Sequence, residues 1–145
     1  MLTVRQGMDF DHFITAQEPV YAEVVRELAK GEKCSHWMWF IFPQLRGLGY
    51  SAMAQKFALG SLDEARRYLV HPVLGARLRE CTRLVLTTQN RTAEDIFGPV
   101  DAMKLRSSMT LFSLASPGDG LFEGIIEKYY DGEKDGRTIE LLGAR

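Results

Sequence analysis

The chain is poor in cysteine, has almost no net charge and lacks a long apolar run, and each shortage removes a class of protein. Two cysteines in 145 residues, Cys34 and Cys81, make no disulfide framework, which points to a reducing, cytoplasmic setting. A net charge of −1 gives no global attraction to nucleic acid or anionic lipid. The longest strongly apolar run, from Trp37 to Pro43, is far too short to span a bilayer, and the opening residues lack the uninterrupted apolar stretch of a secretory signal. Linkers, low-complexity stretches and internal repeats are also missing, so residues 1–145 read as one domain.

Alternation of period two is hard to find over five or more residues, which argues against a sheet. Helical spacing, by contrast, recurs between Gly and Pro punctuation marks. Asp9 or Asp11 is placed to cap a first helix with Phe10, Phe13 and Ile14 on its inner face. Pro19 suits the first turn of a second, on which Val20, Val24 and Leu28 recur before Gly31 ends it. Ser61 and Glu64 form a capping box, and Pro72 opens a helix bearing Leu74, Leu78, Cys81 and Val85. Thr92 with Asp95 is a weaker cap, and Gly98-Pro99 reads as a stop. Asp101 then caps a helix with Leu105, Met109 and Phe112 inward, and Leu121 to Tyr129 form the last substantial one. Helices this short gain their stability from packing rather than propensity. The expectation is an all-α, irregular compact array of about eight short helices, with stacked solenoid-like helix pairs as a variant.

Chemistry is concentrated in two stretches. The first, residues 33–51, holds both tryptophans, Trp37 and Trp39, interleaved with Lys33, His36, Gln44, Arg46 and Ser51. Aromatic surface on more than one side of such a segment makes it the buried centre of the fold. The same mixture of rings and a few polar groups also makes a ligand pocket. The second stretch, residues 97–112, places Asp101, Lys104 and Ser108 on one helical face, either as a cap with a solvated ion pair or as a serine beside a lysine base.

Other patterns lead nowhere chemical. Cys34-Ser-His36 has no second pair of ligands at zinc spacing, so no metal and no cofactor is expected. Residues 131–142 resemble a calcium loop with Gly136 at its sixth position. Leu142 stands where the bidentate Glu belongs, so a turn into a helix capped by Asp135 or Thr138 explains them better. Gly47-Leu-Gly49 matches no phosphate-binding fingerprint. Six arginines between Arg66 and Arg91 make the middle mildly basic, with nine basic against six acidic residues over 51–110, but no nucleic-acid-binding motif accompanies them. Nucleic acid and membrane are therefore not the expected partners.

Two segments carry a family resemblance: His36-Trp-Met-Trp-Phe-Ile-Phe-Pro-Gln-Leu-Arg-Gly-Leu-Gly-Tyr-Ser51 and Phe97-Gly-Pro-Val-Asp-Ala-Met-Lys-Leu-Arg-Ser-Ser-Met-Thr-Leu-Phe112. With Ala16-Gln17, Glu64-Ala65, Tyr68-Leu69, His71-Pro72 and Arg77-Leu78, the chain resembles a bacterial family catalogued as domain of unknown function 1810. The resemblance implies a compact all-helical domain of unknown function and supplies no catalytic residues. Some members bear the label calpastatin. Those inhibitors are long, disordered and repetitive, and this chain is none of these.

Function therefore rests on the residues themselves. The first expectation is a binding module for an unknown small molecule or peptide. Its site lies where residues 36–51 meet residues 101–112, with His36, Trp37, Trp39, Gln44, Arg46, Asp101, Lys104 and Ser108 as candidates. The alternatives are an enzyme of unknown reaction using His36, or Lys104 with Ser108, and a scaffold whose arginine-bearing helices meet an acidic protein.

Overall fold

In the computed structural model, residues 10–143 are described. They form nine helices: α1 Asp11–Gln17, α2 Tyr21–Lys30, α3 Met38–Ile41, α4 Ala52–Lys56, α5 Leu62–Val70, α6 Leu74–Thr87, α7 Ala93–Ala115, α8 Leu121–Tyr130 and α9 Gly136–Gly143. No strand occurs among the described residues. A lone parallel bridge between Leu45 and Leu59 stitches the aromatic segment to the chain after α4.

Local signals set most boundaries. Thr92 and Asp95 form a full reciprocal capping box at α7, with both bonds at 3.0 Å. Ser61 Oγ accepts from the Glu64 N–H, but the Glu64 carboxylate reaches back to the Gly60 N–H, one residue before the position a capping box uses. Gly31 closes α2 with φ of 73°, the left-handed cap that glycine adopts without a Cβ penalty. Asp135 caps α9 by accepting from the Thr138 N–H at 2.9 Å.

Three expected starts are corrected. Pro19 lies in the turn before α2, which begins at Tyr21. Pro72 also precedes its helix: α6 begins at Leu74, where His71 Nδ1 accepts from the N–H groups of Val73 and Leu74 at 3.2 Å and the His71 carbonyl accepts from that of Gly75 at 2.9 Å. At α1 the N-cap is Phe10, with no side-chain cap bond, and Asp11 falls in the first turn; Asp9 lies outside the described residues.

The break expected at Gly98-Pro99 is present, as a sharp kink within α7. Gly98 takes φ 80° and ψ 162°, a region essentially reserved for glycine, so the helical direction changes within α7. Pro99 then opens the second limb, where its missing N–H costs nothing. The two expected short helices are thus the two limbs of α7, which spans 23 residues across the kink. Asp101 consequently lies inside a helix and is not a cap.

The second limb of α7 runs through the middle of the fold, packed by α5, α8 and α9, while α6 is packed by α2, α3, α5 and α8. Such hubs differ from the neighbour-only contacts of a solenoid. Leu105, Met109, Leu111 and Phe112 of α7 are fully enclosed. They meet a chain of rings from Phe122 through Phe112 and Tyr68 to Phe13 and Phe57. Trp37, Phe42 and Phe97 form a second ring cluster, with centroids 6.1–6.5 Å apart. Each such side chain contributes about 1.5–3 kcal/mol by leaving water. Cys81 is buried and Cys34 exposed, both as free thiols. Among the described residues no helix is long and apolar enough to cross a membrane.

Candidate functional site

Residues 33–51 divide into a buried polar knot and one wall of an open cleft. The knot centres on Glu27, which sits on the inner face of α2, three residues after Val24 and one before Leu28, and is only 1% exposed. Its Oε1 accepts from the N–H groups of Cys34 and Ser35 at 2.8 and 3.1 Å and from the Trp37 indole at 2.9 Å. Its Oε2 accepts from the Ser35 hydroxyl at 2.5 Å. Burial by itself raises this carboxyl's pKa, but these donors all favour the anion and together hold it down at about 2.

The knot continues through Lys33, whose ammonium lies 4.9 Å above the Trp37 ring and donates to the Ser35 carbonyl at 2.5 Å. Its side chain is 7% exposed and lies 2.9 Å from Asp101 Oδ2. The other oxygen of Asp101 faces Lys104 at 3.5 Å. One carboxylate is therefore shared by two ammonium groups, an inner and an outer one. Lys104 rests over the half-buried Trp39 ring, 5.1 Å from its centroid.

Lys104 is also a wall of the cleft, a space of about 400 Å³ between the aromatic segment, α7 and the start of α9. Gln44, Leu48, Tyr50 and Ser51 line it from the first, Val100, Met103, Lys104 and Ser107 from the second, and Asp135 and Arg137 from the third. Three of its apolar residues are unusually open: Tyr50 is 78% exposed, Val100 65% and Met103 72%. Isolated exposed apolar side chains are ordinary, but three around one concavity form an amphipathic rim.

Of the eight candidates, Gln44 and Lys104 meet in the cleft, and Trp39 and Asp101 support Lys104 from behind. Trp37 belongs to the knot. His36 and Arg46 are exposed and do not line the space; the Arg46 guanidinium donates to the Ala58 carbonyl. Ser108 is fully buried and its hydroxyl has no hydrogen-bond partner, so the serine–lysine pair is not formed. The neighbouring Ser107 hydroxyl donates to the Met103 carbonyl, four residues back.

Much of the arginine cluster is occupied internally. Arg77 pairs with Glu18, Arg79 bonds Asp119 and the Leu69 carbonyl, and Arg66 bonds the Ala115 carbonyl. Among the described residues no group of three or more His, Cys, Asp or Glu is disposed to hold a metal ion.

Sequence reasoning missed Glu27 and the whole α9 wall. Glu27 left a readable signal, an acidic residue at an apolar position of α2. Arg137 left none, since only the packing of α9 against α7 brings it to the cleft.

Fold and site together define a class: an all-helical domain with a buried carboxylate knot beside an amphipathic cleft. The chain belongs to the family described as Protein of unknown function (DUF1810), whose model matches residues 7–142. It is similar to the conserved hypothetical protein Rv1873 from Mycobacterium tuberculosis, at 52% identity and a TM-score of 0.92, over 93% of this chain and 96% of that one. No curated protein matches it.

Proposed function

We propose that the chain is a binding module for a small molecule, with the cleft between the aromatic segment, α7 and α9 as its site. The observation that carries this reading is the cleft itself, where polar groups converge beneath an exposed apolar rim. Its volume of about 400 Å³ lies towards the lower end of the roughly 300–1,000 Å³ usual for ligand sites. The site is also largely preformed: Lys104 is held by Asp101 and Trp39, and Ser51 is fixed as the N-cap of α4 by accepting from the Ala54 N–H. Groups already held in place lose little freedom on binding.

The test is an amide-resolved NMR titration of the labelled protein with a set of neutral, anionic and cationic fragments. Shifts are expected to cluster at residues 44–54, 100–107 and 135–137. Fragments that perturb scattered surface amides, or none of these three segments, would sink the reading.

A further inference from the structure

The polar lining of the cleft is unbalanced. An ammonium has three donors and no acceptor, and a guanidinium has five donors and no acceptor. At Lys104 the sole carboxylate contact among the described residues is the long one to Asp101, whose other oxygen is occupied by Lys33. Arg137 has one ion pair among the described residues, to Glu140 on the same helix, with both side chains more than half exposed and so heavily screened by water. The Gln44 amide, which can donate or accept, has no hydrogen-bond partner among the described residues, and the Ser51 hydroxyl accepts from Ala54 and keeps its own proton to donate. Against these donors stands one acidic residue, Asp135, and its Oδ2 is already taken by the Thr138 N–H and hydroxyl at 2.9 and 2.6 Å. The lining thus holds two cations and one partly engaged anion, together with the apolar side chains of Leu48, Tyr50, Val100 and Met103.

From this imbalance, and resting on the reading of the cleft as a ligand site, we infer that the ligand is a small amphipathic anion. A carboxylate or phosphate is read by Lys104 and Arg137, and an apolar body is covered by the Tyr50, Val100 and Met103 rim. Donors without protein acceptors favour a ligand rich in acceptors, because a ligand that offered only donors would leave both sides unpaired. Met103 is unbranched and adaptable, which suits contact with an apolar body of variable outline.

Matched pairs separate the charge from the body: phenylacetate against phenylacetamide, and phenyl phosphate against phenol. Each is titrated into the labelled protein at low salt. The anionic member of at least one pair should bind about tenfold more tightly than its neutral partner, the ratio expected of a charge-assisted hydrogen bond. Which pair shows the larger ratio identifies carboxylate or phosphate as the preferred head group. Lys104→Met and Arg137→Gln should each lower that ratio several-fold while leaving the neutral partner's affinity unchanged. Arg137 is exposed enough for its replacement to leave the fold intact.

Equal affinity within both pairs, with shifts still clustered at the cleft, overturns the anion inference and leaves the binding site standing. Anion preference unaffected by both substitutions also overturns it, because the charge is then read elsewhere. Absence of any shift at the cleft overturns the site and the inference together.

Discussion

Around Glu27 and around Lys104, the same stretch of chain builds two polar environments of opposite kind. At Glu27 every oxygen has a donor, every donor comes from residues 34–37, and water is excluded. At Lys104 the ammonium has one distant carboxylate, a ring beneath it and an open space in front. Asp101 joins the two through Lys33 on one side and Lys104 on the other. The contrast separates two uses of buried charge. A carboxylate with all of its hydrogen bonds made inside the protein fixes a loop on a helix. A cation left short of partners beside a cavity is available to something that enters. Changes to the knot should therefore act on stability and changes to the cleft on binding.

The sharpest break is Glu27→Ala. Removing the carboxylate leaves the Trp37 indole, two backbone N–H groups and the Ser35 hydroxyl without their acceptor, at about 1–3 kcal/mol for each group that water cannot reach. A loss of about 3–5 kcal/mol in urea unfolding is expected, a large share of the stability of an ordinary domain. A loss below about 1 kcal/mol would mean that the loop over residues 33–37 holds its place without the carboxylate.

Acid should reproduce part of this loss more gradually. The Glu27 carboxyl is held at about 2 in the folded state, against 4.5 as its ordinary value. A depressed folded pKa means that the unfolded chain takes up the proton first. The stabilisation is therefore complete above about pH 5 and is lost as pH falls towards 2, by about 3 kcal/mol in all. Glu27→Gln carries no such proton. The stability difference between the parent and this variant should shrink steadily across that window and stay flat above it. A difference independent of pH would place the titration of Glu27 elsewhere.

Signals contained within a few residues were legible, and signals that depend on packing were not. The Thr92–Asp95 cap, the Gly31 terminus and the Asp135 cap each involve partners at most four residues apart, and each was visible as a residue pattern. His71 as the cap of α6 was not, because nothing in its place before Pro72 reveals that its ring accepts two N–H groups. Gly98-Pro99 was legible as a break, and Gly98 does leave helical geometry, but the direction that the second limb of α7 takes depends on what it packs against. For the site, a meeting of residues 36–51 with residues 101–112 was expected from their composition, and the cleft takes only residues 44–51 of the first stretch. The division of labour within that stretch was not expected: Trp37 and Trp39 look alike in sequence, yet one donates to a buried carboxylate and the other lies under a cleft cation. The α9 wall, some thirty residues beyond Lys104, was marked locally only as a turn and a cap at Asp135, with nothing to place it against the cleft.

The smallest stability effect should come from the other limb of the comparison, Lys104→Met. Methionine keeps an unbranched apolar stem of similar length over the Trp39 ring, so much of the packing is preserved. What is lost is a cation over an aromatic face, about 0.5–1 kcal/mol at such a site, and a partly exposed ion pair of about 0–1 kcal/mol. Asp101 keeps its closer and more buried partner Lys33, so no carboxylate is stranded. The net change in urea unfolding should stay below about 1 kcal/mol and diminish further as salt screens the pair. A loss above about 2 kcal/mol would make Lys104 a structural member of the knot, held as tightly as Lys33, and the division between a closed side that stabilises and an open side that binds would fail.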